Sequence, residues 1–360
     1  MGVQSGEFDL IARIRARAGT RDDVLLGIGD DAAILRVPAG HDLIVSTDTL
    51  NSGVHFPTAT APFDIGWKAL AVNLSDLAAM GAEPAWCTLN LTLPHADSEW
   101  LDLFLDGFLA LASQHRVALV GGDTTRGPLS ITVTVHGFAP SGSALRRGGA
   151  QAGEDVWASG TLGDAAAGLE LLNPSRSGRG AGMRGREQLT DPLEPAPHPN
   201  PFPKGEGDKQ REELLAQLER PTPRVLLGMA LRGIATACID VSDGLLADLG
   251  HVVAASGIGA EVEVSLLPTS IALLHAFDQP SRTSMQLGGG DDYELCFTAP
   301  PSRSSEVLAA AASADVRVTC IGRIQSQAGL RVRGQDGVVS DAQAVGYRHF
   351  DASRDGGASP

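Results

Sequence analysis

The sequence predicts a two-domain α/β (α+β) protein, and three observations lead there. The chain has 360 residues, beyond the size at which one hydrophobic core usually keeps growing. Segments with helical and strand periodicity interleave in both halves. A stretch over residues 173–212, rich in Pro, Gly and Arg and without a core-forming pattern, interrupts the second half; such a segment is expected to be a disordered surface insertion, where length costs little stability. The expected domains are 1–142 and 148–350, meeting near residues 140–150, with 351–360 a loose tail.

Residues 43–48 form an apolar run ending in Ser-Thr-Asp, and residues 85–93 alternate apolar and polar, so both read as strands. Between them Leu70, Leu74 and Leu77 fall at helical spacing over 64–80, with Asp64 placed to cap the start and Gly81 followed by Pro84 to end it. Residues 98–114 repeat the helical pattern through Leu101, Phe104, Leu105, Phe108 and Leu111. A short buried strand, 117–120, then feeds Gly121-Gly122-Asp123, and 130–138 alternates as a strand.

The second half opens with a strand at 155–159, a Gly-rich turn and a helix through 165–172. After the interruption, residues 223–232 read as helix, 236–241 as strand, 243–255 as helix and 260–266 as strand. Further strands are expected at 294–298, 316–321 and 330–332.

The formal net charge is −15, which argues against a broad basic face for nucleic acid or anionic lipid. Lysine is scarce, at 68, 204 and 209 only, so phosphate recognition would lean on arginine, backbone N–H groups or metal. Cys87, Cys238, Cys296 and Cys320 lie far apart without C-x-x-C spacing and read as core residues. The first 14 residues lack a secretory pattern, and the apolar stretch 101–120 is broken by Asp102, Asp106, His115 and Arg116. The expected address is therefore cytoplasmic, with neither a membrane nor a nucleic acid as partner.

Five times a short apolar run ends in a small residue followed by Asp: LLGIGDD (25–31), LIVSTD (43–48), LVGGD (119–123), CIDVSD (238–243) and LGGGDD (287–292). Asp76 adds an acidic position on the first long helix. One such turn is ordinary, because Asp and Gly favour strand ends. The set points to divalent metal on polyphosphate, since a hard cation takes one or two carboxylates along with phosphate and water oxygens. Neither a P-loop nor a protein-kinase Gly-rich loop with its lysine is present.

Together with Glu7-Phe8-Asp9-Leu10-Ile11, the segments GIGDD (27–31), STDTL (46–50), KALAVNLSDLAAMGAEP (68–84), GGDTTRGP (121–128), IDVSDGL (239–245) and GGDDYEL (289–295) resemble the thiamine-monophosphate kinase family. The resemblance runs from about residue 5 to residue 350, broken by the Pro-rich insertion. It implies the two-domain aminoimidazole ribonucleotide synthetase-like fold, shared with selenophosphate synthetase and a hydrogenase-maturation protein, with homodimers formed through the N-terminal domain and ATP bound between domains. The implied reaction is transfer of the ATP γ-phosphate directly to thiamine monophosphate, giving thiamine diphosphate.

By the same resemblance, Asp31, Ser46, Thr47, Asp48, Asp76, Asp123, Asp240 and Asp243 would serve several Mg²⁺ ions. Gly122, Asp123, Arg147 and Ser242 would touch ATP, and His55, Asp291 and Phe350 the thiamine phosphate. Position 291 departs from the family, which often has Glu there. No general base is expected, because a phosphate acceptor is already anionic near neutral pH and needs positioning and charge neutralisation instead. The alternatives are a sibling synthetase, such as one making selenophosphate, and a non-catalytic nucleotide- or metal-binding regulator. Against the selenophosphate reading, no Cys occupies an N-terminal Gly-rich loop.

Overall fold

The computed structural model describes residues 6–172 and 206–343. Phe350, most of the expected insertion and the expected tail lie outside them. The first half contains α1 (Glu7–Arg17), a short hairpin of β1 (Val24–Leu26) and β2 (Ile34–Leu35), then β3 (His41–Asn51), α2 (Pro62–Ala79), β4 (Glu83–Leu93), α3 (Ser98–Gln114), β5 (Ala118–Arg126) and β6 (Ser130–Pro140). Strands β3 to β6 form one sheet in the order β3-β6-β4-β5. The β4–β5 pair is parallel, because α3 carries the chain back across, and the other pairs are antiparallel.

Helix α2 begins earlier than the sequence suggests. Pro62 occupies the first turn and Ala61 is the N-cap, while Asp64 lies within that turn and pairs with Arg220 at 3.3 Å instead of capping. Proline at this position suits a helix start, since its missing N–H has no intrahelical partner to lose. Helices α2 and α3 approach closely where each has a glycine. A Cβ on Gly107 would run into the Phe63 carbonyl, and one on Gly66 into that of Phe104.

The second half supplies β7 (Asp155–Ser159), α4 (Asp164–Leu172), α5 (Glu206–Glu219), α6 (Val225–Ala230), β8 (Ala237–Val241), α7 (Leu245–Ser256), β9 (Gly259–Glu263), α8 (Ile271–Ala276), α9 (Gln279–Gly288), β10 (Glu294–Ala299), α10 (Ser304–Ser313), β11 (Val318–Gln325), β12 (Gly329–Arg333) and β13 (Val339–Ala342). Its strands form a seven-stranded sheet in the order β13-β12-β9-β11-β7-β10-β8. The expected strand over 260–266 ends at Glu263, and Val264–Leu266 is a 3-10 turn.

Residues 206–212, expected within a disordered insertion, open α5. The segment is rich in Glu, Gln and Lys, which favour helix. Leu214 and Leu218, one turn apart, are buried and anchor it. Helices α1, α8, α9 and α10 go beyond what periodicity predicts.

The second sheet buries alternate residues on opposite faces. Trp157, Cys238, Leu295 and Phe297 join the core around α2, whereas Val156, Ala158, Ile239, Val241 and Cys296 face α7. Helix α2 is buried along nearly its whole length because it packs against β3 and β6 on one side and against α6 and β8 on the other. One core is therefore continuous between the two halves. Any polar side chain on α2 that faces the second sheet must find its partner there.

Candidate active site

Strand alternation decides which side chains meet. On β3, Leu50 is buried against α2, so Asp48 and Ser46, two and four residues back, share its face. Ser46 Oγ donates to Asp76 Oδ2 at 2.5 Å, and the Asp48 N–H donates to Asn73 Oδ1 at 3.0 Å. On β8, Asp240 shares the α2-facing side with Cys238, and Ser75 Oγ donates to Asp240 Oδ2 at 2.8 Å. The asparagine, serine and aspartate of NLSDLAAMGAEP thus all serve one junction.

Asp48, Asp76, Asp240 and Asp243 are close enough to perturb one another. Burial first, then the charges of Asp76 and Asp243, push Asp48 up to about 6. Asp240 is pushed up to about 8 by burial and by the Asp76 charge, against the stabilising Ser75 hydroxyl. Burial also raises Asp76, opposed by the Ser46 hydroxyl and by the charge of Arg147. Exposed Arg147 therefore sits within electrostatic reach of the acidic group.

The loop after β8 is built on Asp248, a residue that the motifs do not single out. Its Oδ2 accepts the backbone N–H groups of Ser242, Asp243 and Gly244 at 3.0, 3.0 and 3.1 Å. Burial, opposed by these three amides, pushes Asp248 up to about 7. An acidic residue in the first turn of the helix that follows Ser-Asp-Gly was the available signal.

Strands β8 and β10 pair antiparallel, with Val241 opposite Glu294, so the loop leaving one and the loop entering the other emerge at the same end. They are also stitched together, Asp291 N to Ser242 O and Tyr293 N to Val241 O, both at 2.8 Å. The two aspartates of GGDDYEL then separate. Asp292 is buried and accepts from Gly163 N (2.7 Å) and Ala165 N (3.3 Å) at the start of α4. Asp291 turns the other way, accepting from Lys68 Nζ at 3.2 Å and from the Tyr293 hydroxyl at 3.0 Å.

Other expected site residues are placed less centrally. The Thr47 side chain lies on the opposite face of β3, bonded to Val133 O and Thr134 Oγ1, so only its main chain could join Ser46 and Asp48. Asp31 and Asp123 are exposed, and the hydrogen bonds around them are local: Asp31 N donates to the Asp30 carboxylate, and Thr124 N to that of Asp123. Gly122 has φ +147°, and a Cβ there would strike the Leu89 carbonyl of β4, which reserves the position for glycine. His55 Nδ1 accepts the Asn51 N–H at 2.9 Å, so the neutral ring carries its proton on Nε2.

The donor set suits hard divalent cations. Carboxylates that hold protons above their ordinary range through burial and mutual repulsion are stabilised when a cation arrives. Among the described residues no three His, Cys, Asp or Glu side chains close into a ready-made cage.

A continuous two-sheet core and an acidic junction between the sheets define the AIR synthase-related class. Residues 29–139 match the family described as AIR synthase related protein, N-terminal domain, and residues 171–335 match its C-terminal domain. The chain is 44% identical over 346 residues to the thiamine-monophosphate kinase of Salmonella typhimurium (strain LT2), covering 96% of this chain and 98% of that protein. The crystal structure of thiamine-monophosphate kinase from Stenotrophomonas maltophilia K279a is 51% identical, with a TM-score of 0.78 over 94% of this chain and 99% of that one. A second solved structure, AaThiL complexed with AMPPCP and TMP, is 30% identical with a TM-score of 0.70, covering 96% and 97%. The chain belongs to the thiamine-monophosphate kinase family.

Proposed function

We propose that this enzyme transfers the γ-phosphate of ATP to the phosphate of thiamine monophosphate, giving thiamine diphosphate. The observation that carries the reading is the meeting of Asp48, Asp76, Asp240 and Asp243 at the junction of the two sheets, beside Arg147. A chain with so few lysines and a net charge of −15 needs cations to hold polyphosphate. The solved relative bound to AMPPCP and TMP supports the same pair of ligands.

In this reading Ser46, Asp48, Asp76, Asp240 and Asp243, with the main chain of Thr47 and with Asp31 and Asp123, hold Mg²⁺. Bound there, Mg²⁺ would neutralise and align the phosphates of ATP. Gly122, Asp123 and Ser242 line the nucleotide, and Arg147 presents a fixed positive charge to its phosphates. His55, Asp291 and Phe350 bind the thiamine phosphate. No side chain needs to remove a proton, because the acceptor oxygen is already anionic.

The domains are 1–142 and 148–350, and the active unit is a homodimer in the cytoplasm. Leu43 and Val45 point away from α2 on β3 and are exposed, as are Leu25 and Ile34 of the hairpin. An uncovered apolar sheet face of this kind supports pairing through the first domain. Among the described residues no helix is long and apolar enough to cross a membrane.

Incubating the protein with ATP, Mg²⁺ and thiamine monophosphate should yield thiamine diphosphate by chromatography, with thiamine as an inert control. A folded protein that binds Mg-ATP but makes no product would defeat the reading.

A further inference from the structure

The proposed chemistry leaves the buried ammonium of α2 unused. Lys68, on α2, is 3% exposed, and its ammonium donates to Asp291 at 3.2 Å. Asp291 belongs to the other half of the molecule, and its side chain is 33% exposed. Its second oxygen accepts from Tyr293, a residue 8% exposed, and its backbone N–H is tied to Ser242. Glu219 at the end of α5 adds a second negative charge within electrostatic reach of Lys68.

A buried ammonium is expensive unless paired, so the fold must gain from keeping it there. Pairing it with a partly exposed carboxylate on a loop fixes that carboxylate from two sides. It also changes the electrostatics. An unpaired Asp291 would repel an incoming phosphate, whereas the Lys68–Asp291 pair is neutral overall and still presents an acceptor oxygen.

We infer that Lys68 is a positioning residue for the acceptor side of the site: acting from α2, it orients the Asp291 carboxylate toward thiamine monophosphate and cancels its charge. This rests on the reading of Asp291 as a substrate contact. Lys68 links the acceptor loop to the same helix whose Asn73, Ser75 and Asp76 organise the acidic junction. One helix thereby sets both halves of the transfer geometry.

The test is steady-state kinetics with each substrate varied in turn, for the wild type, Lys68→Met, Lys68→Arg, Asp291→Asn and the double variant Lys68→Met/Asp291→Asn, with melting temperatures alongside. Lys68→Met should raise KM for thiamine monophosphate ~10-fold while leaving KM for ATP within ~2-fold, a size typical of paired residues. Lys68→Arg, which keeps the charge, should recover most of that loss. The double variant should do better than the two single effects combined, since Asp291→Asn removes the repulsion that Lys68→Met exposes. A lower melting temperature with both KM values unchanged, equal shifts for both substrates, or strict additivity would each overturn the inference. Should Lys68→Met not fold, Lys68→Gln, which keeps a donor and removes the charge, takes its place with the same readout: KM must move for thiamine monophosphate and not for ATP. Wild-type protein that makes no thiamine diphosphate would instead refute the kinase reading itself.

Discussion

Ser75 on α2 donates its hydroxyl to Asp240 at the end of β8 across 2.8 Å, and both side chains are buried. The bond joins the helix that backs the first sheet to an edge strand of the second. It is also the main favourable contact opposing the burial and the Asp76 charge that raise Asp240. A hydroxyl in this place favours the ionised carboxylate and so prepares it for a cation.

Ser75→Ala should therefore do two things. It should destabilise the fold by about 1–3 kcal/mol, the usual consequence of leaving a buried polar group without its partner. It should also raise the magnesium concentration needed for half-maximal activity near neutral pH, because Asp240 will hold its proton more tightly. Urea denaturation and a magnesium titration measure the two effects. An unchanged magnesium requirement would mean that the bond is structural only.

The raised carboxylates fix a sign for pH. Asp48 stands at about 6 and Asp240 at about 8 in the folded chain, above the ordinary 3.8. A group whose folded pKa is raised contributes stability that is fully present below its unfolded pKa and lost as pH rises through the folded value. Without divalent cation, the protein should lose stability between about pH 4 and 8, a tenfold difference in proton affinity between folded and unfolded chain being worth about 1.4 kcal/mol. Added Mg²⁺ should flatten that decline and release protons on binding. Calorimetry in buffers of different ionisation enthalpy at pH 7 reads the release directly, and no release would contradict the protonated state.

Asp48→Asn separates function from folding. The substitution removes one member of a mutually repelling group, so in the absence of metal near pH 8 the variant should melt no lower than the wild type. Its turnover should fall by ~10–100-fold, as expected when a metal site loses a ligand or its close support. Near wild-type turnover in a folded variant would remove Asp48 from the site.

Much of this arrangement was legible in the sequence where a local period carries it. The alternation around Ser46 and Asp48 and around Cys238 and Asp240 gives their shared faces directly, and the leucines of α2 give its helix. What could not be read depends on partners from the other half of the chain. Nothing local in GGDDYEL tells which aspartate turns inward; Asp292 is taken by the amides of Gly163 and Ala165, which leaves Asp291 for Lys68. Thr47 matches a motif yet belongs to the other face of β3, a consequence of strand periodicity that motif matching ignores. Lys68, Ser75 and Asp248 escape a reading of the sequence because their roles are to hold other residues in place.

Asp248 offers the sharpest separation of charge from shape. Its one oxygen satisfies three consecutive backbone N–H groups in the loop that carries Ser242 and Asp243. Asp248→Asn keeps an acceptor oxygen in about the same place and removes a charge whose pKa burial has already pushed up to about 7. The fold should tolerate it, with a melting temperature close to wild type near pH 8 and only a modest fall in kcat. Asp248→Ala strands three amides, each costing about 1–3 kcal/mol if it stays buried, so the loop must move to find water. Asp243 moves with it, and kcat should fall well below that of the asparagine variant even at temperatures where both are folded. Equal kcat values for the two variants would show that the loop holds its shape without Asp248, and that the α7 N-terminus alone positions Asp243.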